Sequence, residues 1–310
     1  MQYSAVIIPS LCRDKHLKKC LDSLSHCTHA NETDVFIGLD YPAKESHFPG
    51  YQRICEYLPT VKGFHSLTVL KRSENFGSKR NYLSLLSMVE KTHESFISMD
   101  DDCEVAPNFL DYVHKGLEKF QGDSRVIALS GYSYRNDFPC GESNFYLERS
   151  GFSVWGIAMT FENRRTMISR MTRWYSLRKI LNPFTLCYAA WYSWGSFLFL
   201  FMHSIKPDLL TDYVLSNYLL FEGKNMVMPA KSLVRNNGFD GSGEHCQILE
   251  NVPQIDLPTD LTFDFIGDGL DNYNLIDAEL KQGKRKAMPF TKMLRHIYEM
   301  AAVRLKRIIH

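Results

Sequence analysis

The chain has 310 residues, 45% of them hydrophobic, and a formal net charge of +1. That length and composition support a substantial core and exclude wholesale disorder. Near-neutral charge excludes a general nucleic-acid binder, whose partner demands a basic surface. The opening Met1–Pro9 run has no basic region followed by a long apolar core, so no signal anchor is expected and a cytoplasmic protein is. Eight cysteines without a CxxC pair point to reduced thiols. Cys20, His26, Cys27 and His29 lie close in sequence, but no second ligand pair follows at zinc-finger spacing. Cys20 and Cys27 instead share a helical face with Leu17, Leu21 and Leu24, which predicts core packing.

In chain order, Ser4–Pro9, Asp34–Leu39, Leu67–Leu70, Ser95–Met99 and Val126–Ser130 are short apolar runs that predict strands. Between them, Asp14–Cys27, Gly77–Val89 and Pro107–Phe120 carry apolar residues at helical spacing, with Pro107 suited to a first turn. Such alternation predicts an α/β fold: a Rossmann-like, mostly parallel central sheet with helices on both faces. Beyond Gly131 the pattern turns irregular and aromatic. Phe152–Thr160 reads as strand or loop, a helix starts near Glu162, and a strand pair surrounds Asn225–Pro229 and Ser232–Arg235. The Gly- and Asn-rich stretch 236–245 is a loop. Three segments follow: the strand–helix alternation of 1–130, the irregular, aromatic 131–250, and 251–310 as a C-terminal extension with a basic helical tail.

In parallel sheets, ligands bind beyond the carboxyl ends of the strands. Here those ends carry Pro9-Ser10, Asp40, the Asn75-Phe76-Gly77 turn and Asp100-Asp101-Asp102. Three carboxylates at one strand end repel one another and need a cation or hydrogen-bond donors to hold them.

The segment Asp100-Asp101-Asp102-Cys103-Glu104-Val105-Ala106-Pro107 resembles the DxD signature of GT-A glycosyltransferases, and most nearly that of the Golgi N-acetylglucosaminyltransferase I family. Pro9, Asp40 and Asn75-x-Gly77-x-x-Arg80-Asn81 resemble bacterial family 2 glycosyltransferases. The resemblance implies an inverting, metal-dependent sugar transfer from a nucleoside-diphosphate sugar to an acceptor hydroxyl on a glycan or lipid-linked chain, of the kind used in bacterial surface-glycan assembly. It makes Asp102 a ligand of Mn²⁺ or Mg²⁺, with His245 near the ion and diphosphate. Asp100 and Asp101 become donor-binding residues beside Pro9 and Ser10. A divalent ion suits this chemistry, because charge builds on the departing phosphate. Asp40 would meet nucleobase or ribose, Gly77 would admit the nucleotide closely, and Asn75 and Arg80 would line its phosphates. Trp155 and Gly156 would form a sugar platform. Asp212 is the expected general base, ahead of Asp208 and Glu148. Two rival readings are a sugar nucleotidyltransferase and a non-catalytic sugar-nucleotide or glycan-binding protein. The first would carry a Gly-rich loop where this chain has Ser10-Leu11-Cys12-Arg13.

Residues 164–179 hold six Arg or Lys and no acid, and Ile180–Ile205 is uncharged and aromatic. That second run is long enough to span a bilayer, but its Asn, Pro, Ser and His favour a buried or membrane-dipping helix. Residues 281–310 contain nine Lys or Arg, with Leu294, Ile297, Tyr298, Ala301, Leu305 and Ile308 at helical spacing. Peripheral attachment to the inner face of the plasma membrane through 164–205 and 284–310 is therefore expected.

Overall fold

The computed structural model describes residues 3–134, 139–208, 212–242 and 256–309, with side chains through residue 299. Apolar runs of the first hundred residues form parallel neighbours. β1 (Ala5–Ser10), β2 (Asp34–Leu39), β3 (Ser66–Lys71) and β4 (Ser95–Ser98) pair in the order β3-β2-β1-β4, every join parallel. Ala5 to Ile8 are fully buried, as a central parallel strand covered on both faces requires. The crossovers are α1 (Asp14–Ser25), α2 (Phe48–Tyr57) and α3 (Gly77–Val89). The first two carry the chain one way across the sheet and α3 carries it back past β1. Right-handed connections then place α3 on the opposite face from α1 and α2. α2 was not foreseen.

Next come β5 (Cys103–Val105), α4 (Phe109–Lys119), β6 (Val126–Ser130), β7 (Phe145–Glu148) and β8 (Ile157–Thr160). Pro107 precedes α4 instead of opening it. β8 runs antiparallel to both β4 and β6, so the large sheet continues beyond its parallel core through a reversed strand. α5 (Phe161–Arg170), α6 (Arg173–Leu181), α7 (Pro183–Tyr192), α8 (Trp194–Ile205) and α9 (Asp212–Glu222) follow. After them come β9 (Asn225–Pro229), β10 (Val234–Asn236), α10 (Tyr273–Ala287) and α11 (Phe290–Ile309). The eight-stranded order is β3-β2-β1-β4-β8-β6-β9-β7, and β5 and β10 form a separate antiparallel pair.

Two compact units result. The first comprises Met1–Leu147, Ser153–Arg164 and Val227–Asp271, and the second Glu148–Phe152, Arg165–Met226 and Asn272–His310. The second is helical. Its uncharged run 180–205 takes in the end of α6 and all of α7 and α8, broken at Asn182 and again where the Ser193 side chain accepts from Gly195 N–H and caps α8. Among the described residues no helix is long and apolar enough to cross a membrane. In the first turns of α11 Met293 is buried, whereas Leu294 and Tyr298 are exposed.

Candidate active site at the carboxyl ends of the parallel strands

Because β1 to β4 run the same way, their carboxyl ends share one edge, and the residues that follow each strand meet there. β1 ends in Ser10, whose hydroxyl donates to Asp101 Oδ2 at 2.8 Å. Three residues on, the Arg13 guanidinium forks across the acids: Nη1 reaches Asp102 Oδ2 at 2.7 Å and Nη2 bonds Asp101 Oδ1. Asp101 and Asp102 are 3% and 4% exposed, and Asp100 stands partly exposed beside them. Buried carboxylates of this kind survive only with close donors. Burial, with Asp102 alongside, pushes the Asp101 carboxyl above its ordinary range, and Arg13 and Ser10 pull it back.

A second support comes from far along the chain. β10 pairs with β5 through Arg235 opposite Glu104 and Asn236 opposite Cys103. The pairing brings Asn236 Nδ2 to Asp102 Oδ1 at 3.1 Å and Asn237 N–H to the Asp102 carbonyl at 2.9 Å. Arg235 and Asn237 both bond Glu104 Oε2, at 2.8 and 3.1 Å. Gly238 packs so tightly that a Cβ there would lie 2.1 Å from Asp102 Oδ2. Sequence reasoning missed Arg13, Asn236 and Gly238. Arg13 had one available signal, a lone cation just past a strand end that shares its edge with three acids.

Asp40 is buried after β2, and its Oδ1 accepts the N–H groups of Tyr41 (2.9 Å) and Phe76 (2.7 Å). Asn75 Nδ2 donates to the Tyr41 carbonyl at 2.6 Å. Asp40 and Asn75 thus tie the turn before α3 to the end of β2, a structural use of side chains expected to meet the nucleotide. Gly77 has φ +71°, and the space its Cβ would enter is open, so backbone conformation is what calls for glycine here. Arg80 is exposed, stacks 3.7 Å from the Phe76 ring centroid and pairs with Glu74 at 3.0 Å. Pro9 lies within β1 opposite Gly38.

Trp155 meets Tyr132 and Phe239 edge-on, at centroid distances of 4.7 and 5.8 Å. Gly156, at φ +66°, would place a Cβ 2.7 Å from Val234 and 3.1 Å from Phe109, so its smallness serves packing between α4 and β10. In the second unit, Asp212 opens α9, and burial pushes its carboxyl up to about 6. Glu148 is buried in that unit, as Ser150 donates to its Oε1 at 3.4 Å. His245 lies outside the described residues.

The fit to a divalent ion can be judged from the donor set. Carboxylate oxygens are the hard ligands Mn²⁺ and Mg²⁺ take. Arg13 brings one positive charge to the buried pair Asp101 and Asp102, so one negative charge is left over there before Asp100 is counted. The chemistry and charge fit. Asp102 Oδ2 accepts from Arg13 and Oδ1 from Asn236, one donor on each oxygen, and among the described residues no group of three or more His, Cys, Asp or Glu side chains is already gathered around an ion position.

No protein-family model matches the chain, and no curated protein is significantly similar to it. Among solved structures it is similar to the mannosyltransferase PcManGT from Pyrobaculum calidifontis, in complex with GDP-Man and Mn²⁺, at 15% identity and TM-score 0.41 over 71% of this chain and 69% of that one. It is similar to S. aureus TarS at 18% identity and TM-score 0.30, over 37% of this chain and 19% of TarS. The apo-form glycosyltransferase GlyE of Streptococcus pneumoniae TIGR4 matches at 12% identity and TM-score 0.30, over 72% and 44%. The chain spans less than half the length of TarS and of GlyE. Likeness at these scores transfers no activity.

Proposed function

We propose that the chain is an inverting glycosyltransferase of the GT-A type, binding a nucleoside-diphosphate sugar along the carboxyl edge of β2, β1 and β4. The observation that carries this reading is the pair Asp101 and Asp102, buried at that edge with more negative charge than Arg13 cancels. Such a deficit is costly in a resting protein and is relieved by a ligand that brings positive charge. Asp102, with Asp100, would hold a Mn²⁺ or Mg²⁺ ion, which neutralises the diphosphate as it leaves. Asp101 is held by Ser10 and Arg13, and keeps the acidic turn in place. Arg13 is a bidentate cation of the type that also grips phosphate. The aromatic group of Tyr132, Trp155 and Phe239 supplies faces for sugar C–H surfaces. Asp212 is the proposed general base, since a carboxyl near pH 6 takes a proton from an acceptor hydroxyl better than an ordinary aspartate does. A glycan or lipid-linked acceptor used in surface-polysaccharide assembly suits a chain with so basic a second unit.

The test is a panel of nucleoside-diphosphate sugars, followed by calorimetry and by slow donor hydrolysis with and without Mn²⁺. Binding and Mn²⁺-stimulated hydrolysis of one donor, both reduced in Asp102→Asn, are expected. Binding without turnover on every donor and acceptor tried would leave a sugar-nucleotide-binding module instead.

A further inference from the structure

Helices α6 and α7 of the second unit are built inside out. The buried residue of α6 is Ser176, and those of α7 are Ala189 and Tyr192. Both tryptophans of these helices, with a leucine and a phenylalanine, point to solvent: Trp174 is 70% exposed, Leu181 78%, Phe184 84% and Trp191 49%. Spacing makes two continuous stripes of these. Trp174, Arg178 and Leu181 follow one another at i, i+4 and i+7 along α6, and Phe184, Cys187 and Trp191 do so at i, i+3 and i+7 along α7. A single exposed leucine needs no explanation, but a run of two tryptophans, a leucine and a phenylalanine on adjacent helices marks an interaction surface. The connection between the helices is held rather than loose. Asn182 Oδ1 accepts the N–H groups of Phe184 and Thr185, at 2.9 and 3.3 Å, and Pro183 opens α7.

Charge says what this surface fits. No carboxylate occurs in the sequence between Glu162 and Asp208. Arg173 and Arg178 are exposed beside Trp174. A pocket of ≈ 410 Å³ next to that tryptophan is lined by Arg170, Arg178 and Lys179, with Glu222 as its one acid. Glu222 is occupied by Tyr175, Lys179 and Arg170, at 2.9, 3.1 and 3.2 Å. Positive charge therefore exceeds negative in the pocket. On the other stripe, Lys281 Nζ sits 3.5 Å over the Trp191 ring and Arg285 approaches the same ring from 5.9 Å. Exposed indoles flanked by cations, with leucine and phenylalanine at the tip, combine what a bilayer interface rewards: aromatic rings at headgroup depth, an apolar wedge in the acyl region and cations against lipid phosphate. A second copy of the chain is a poor occupant, because it would set Arg173 and Arg178 against their own equivalents.

We propose that the α6–α7 face docks on an anionic phospholipid surface, with Leu181 and Phe184 inserting and Arg173 and Arg178 meeting headgroup phosphates. This rests on the second unit alone and stands or falls separately from sugar transfer. The experiment is flotation of the full chain with phosphatidylcholine vesicles, with and without phosphatidylglycerol, read together with tryptophan fluorescence. The expected result is co-flotation with the anionic vesicles only and a blue shift in emission. Leu181→Ser with Phe184→Ser should weaken partitioning at least about tenfold, and Arg173→Gln with Arg178→Gln should reduce its salt sensitivity. These side chains are exposed, so melting temperature and donor binding should be unchanged. Failure of the wild type to float would overturn the proposal. So would flotation that the Leu181/Phe184 variant retains, which would put the membrane contact elsewhere. Light scattering that shows a dimer dissolved by the same substitutions would assign the face to self-association.

Discussion

Arg13 and Asp102 are joined at 2.7 Å across the end of β1 and β4, and the same guanidinium also holds Asp101. One side chain thus keeps two neighbouring, nearly inaccessible carboxylates from repelling each other. Removing it leaves the two acids with neutral donors only, Ser10 on Asp101 and Asn236 on Asp102. Arg13→Ala should destabilise the protein by about 3–5 kcal/mol, the usual cost of breaking a buried ion pair. Arg13→Lys should lose less, because one ammonium replaces one arm of the fork. A divalent ion that binds these acids should make up part of the loss, so Mn²⁺ should raise the melting temperature of Arg13→Ala more than that of the wild type. Equal or absent Mn²⁺ shifts would show that the acids do not take the ion.

Gly238 offers a way to disturb Asp102 without touching its charge. Its N–H donates to Asn236 Oδ1 at 2.7 Å, which closes the turn after β10 directly over the carboxylate. A methyl group in Gly238→Ala would have to displace Asp102 Oδ2, which it would meet at 2.1 Å. A stability loss of roughly 1–3 kcal/mol follows from the overpacking. Donor affinity measured by calorimetry should fall more than the small change in charge environment explains. Affinity equal to wild type would detach this turn from the site.

How much of this was legible in the sequence follows from separation along the chain. β1 to β4 and α1, α3 and α4 come from short-range hydrophobic periodicity, and the acidic strand end was visible as a local charge density. The β5–β10 pairing was not, because each strand has three residues and about 130 residues lie between them, with no periodicity to announce the join. The partners of Asp102 were hidden for that reason. Asp40 was legible as a buried strand-end acid, but two backbone N–H groups take its Oδ1, and only coordinates reveal those. In the second unit, composition concealed more than separation did. The run 180–205 looked continuous, although Asn182-Pro183 and Ser193 were N-cap signals already present in it.

In the proposed role of general base, the Asp212 carboxyl, raised to about 6 by burial, would set a pH dependence. A base must be ionised, so kcat/KM should fall tenfold per pH unit below about pH 6 and level off above it. Asp212→Asn should lower turnover by about 10²–10⁴ and leave donor affinity unchanged. Stability should move the other way. The folded chain holds this proton more tightly than the unfolded chain does, so the native carboxyl loses stability as pH rises from the ordinary aspartate range through about 6. The asparagine variant escapes that loss and should be slightly more stable than wild type at pH 7. A pH profile that persists unchanged in Asp212→Asn would move the base to another residue.

Lys284 of α10 and Glu148 make the last test, inside the second unit. Lys284 is half-buried, donates to the Ser150 carbonyl and faces Glu148, whose Oε2 has no hydrogen-bond partner among the described residues. Nearby, Arg149 forks onto Asp277 at 2.6 and 3.1 Å, and Tyr192 adds a bond to the same carboxylate at 3.1 Å. Burial pushes Glu148 above the usual glutamate range, and the Lys284 charge opposes that rise. In Lys284→Met the opposition is gone, so Glu148 should titrate higher still. Denaturant unfolding should show a loss of about 3–5 kcal/mol at neutral pH that shrinks as the medium is acidified, because a protonated glutamate needs no cation. Adding Glu148→Gln should recover most of the loss. Recovery fails to appear only if Lys284 acts through packing, and the pH dependence of the single variant would then be flat.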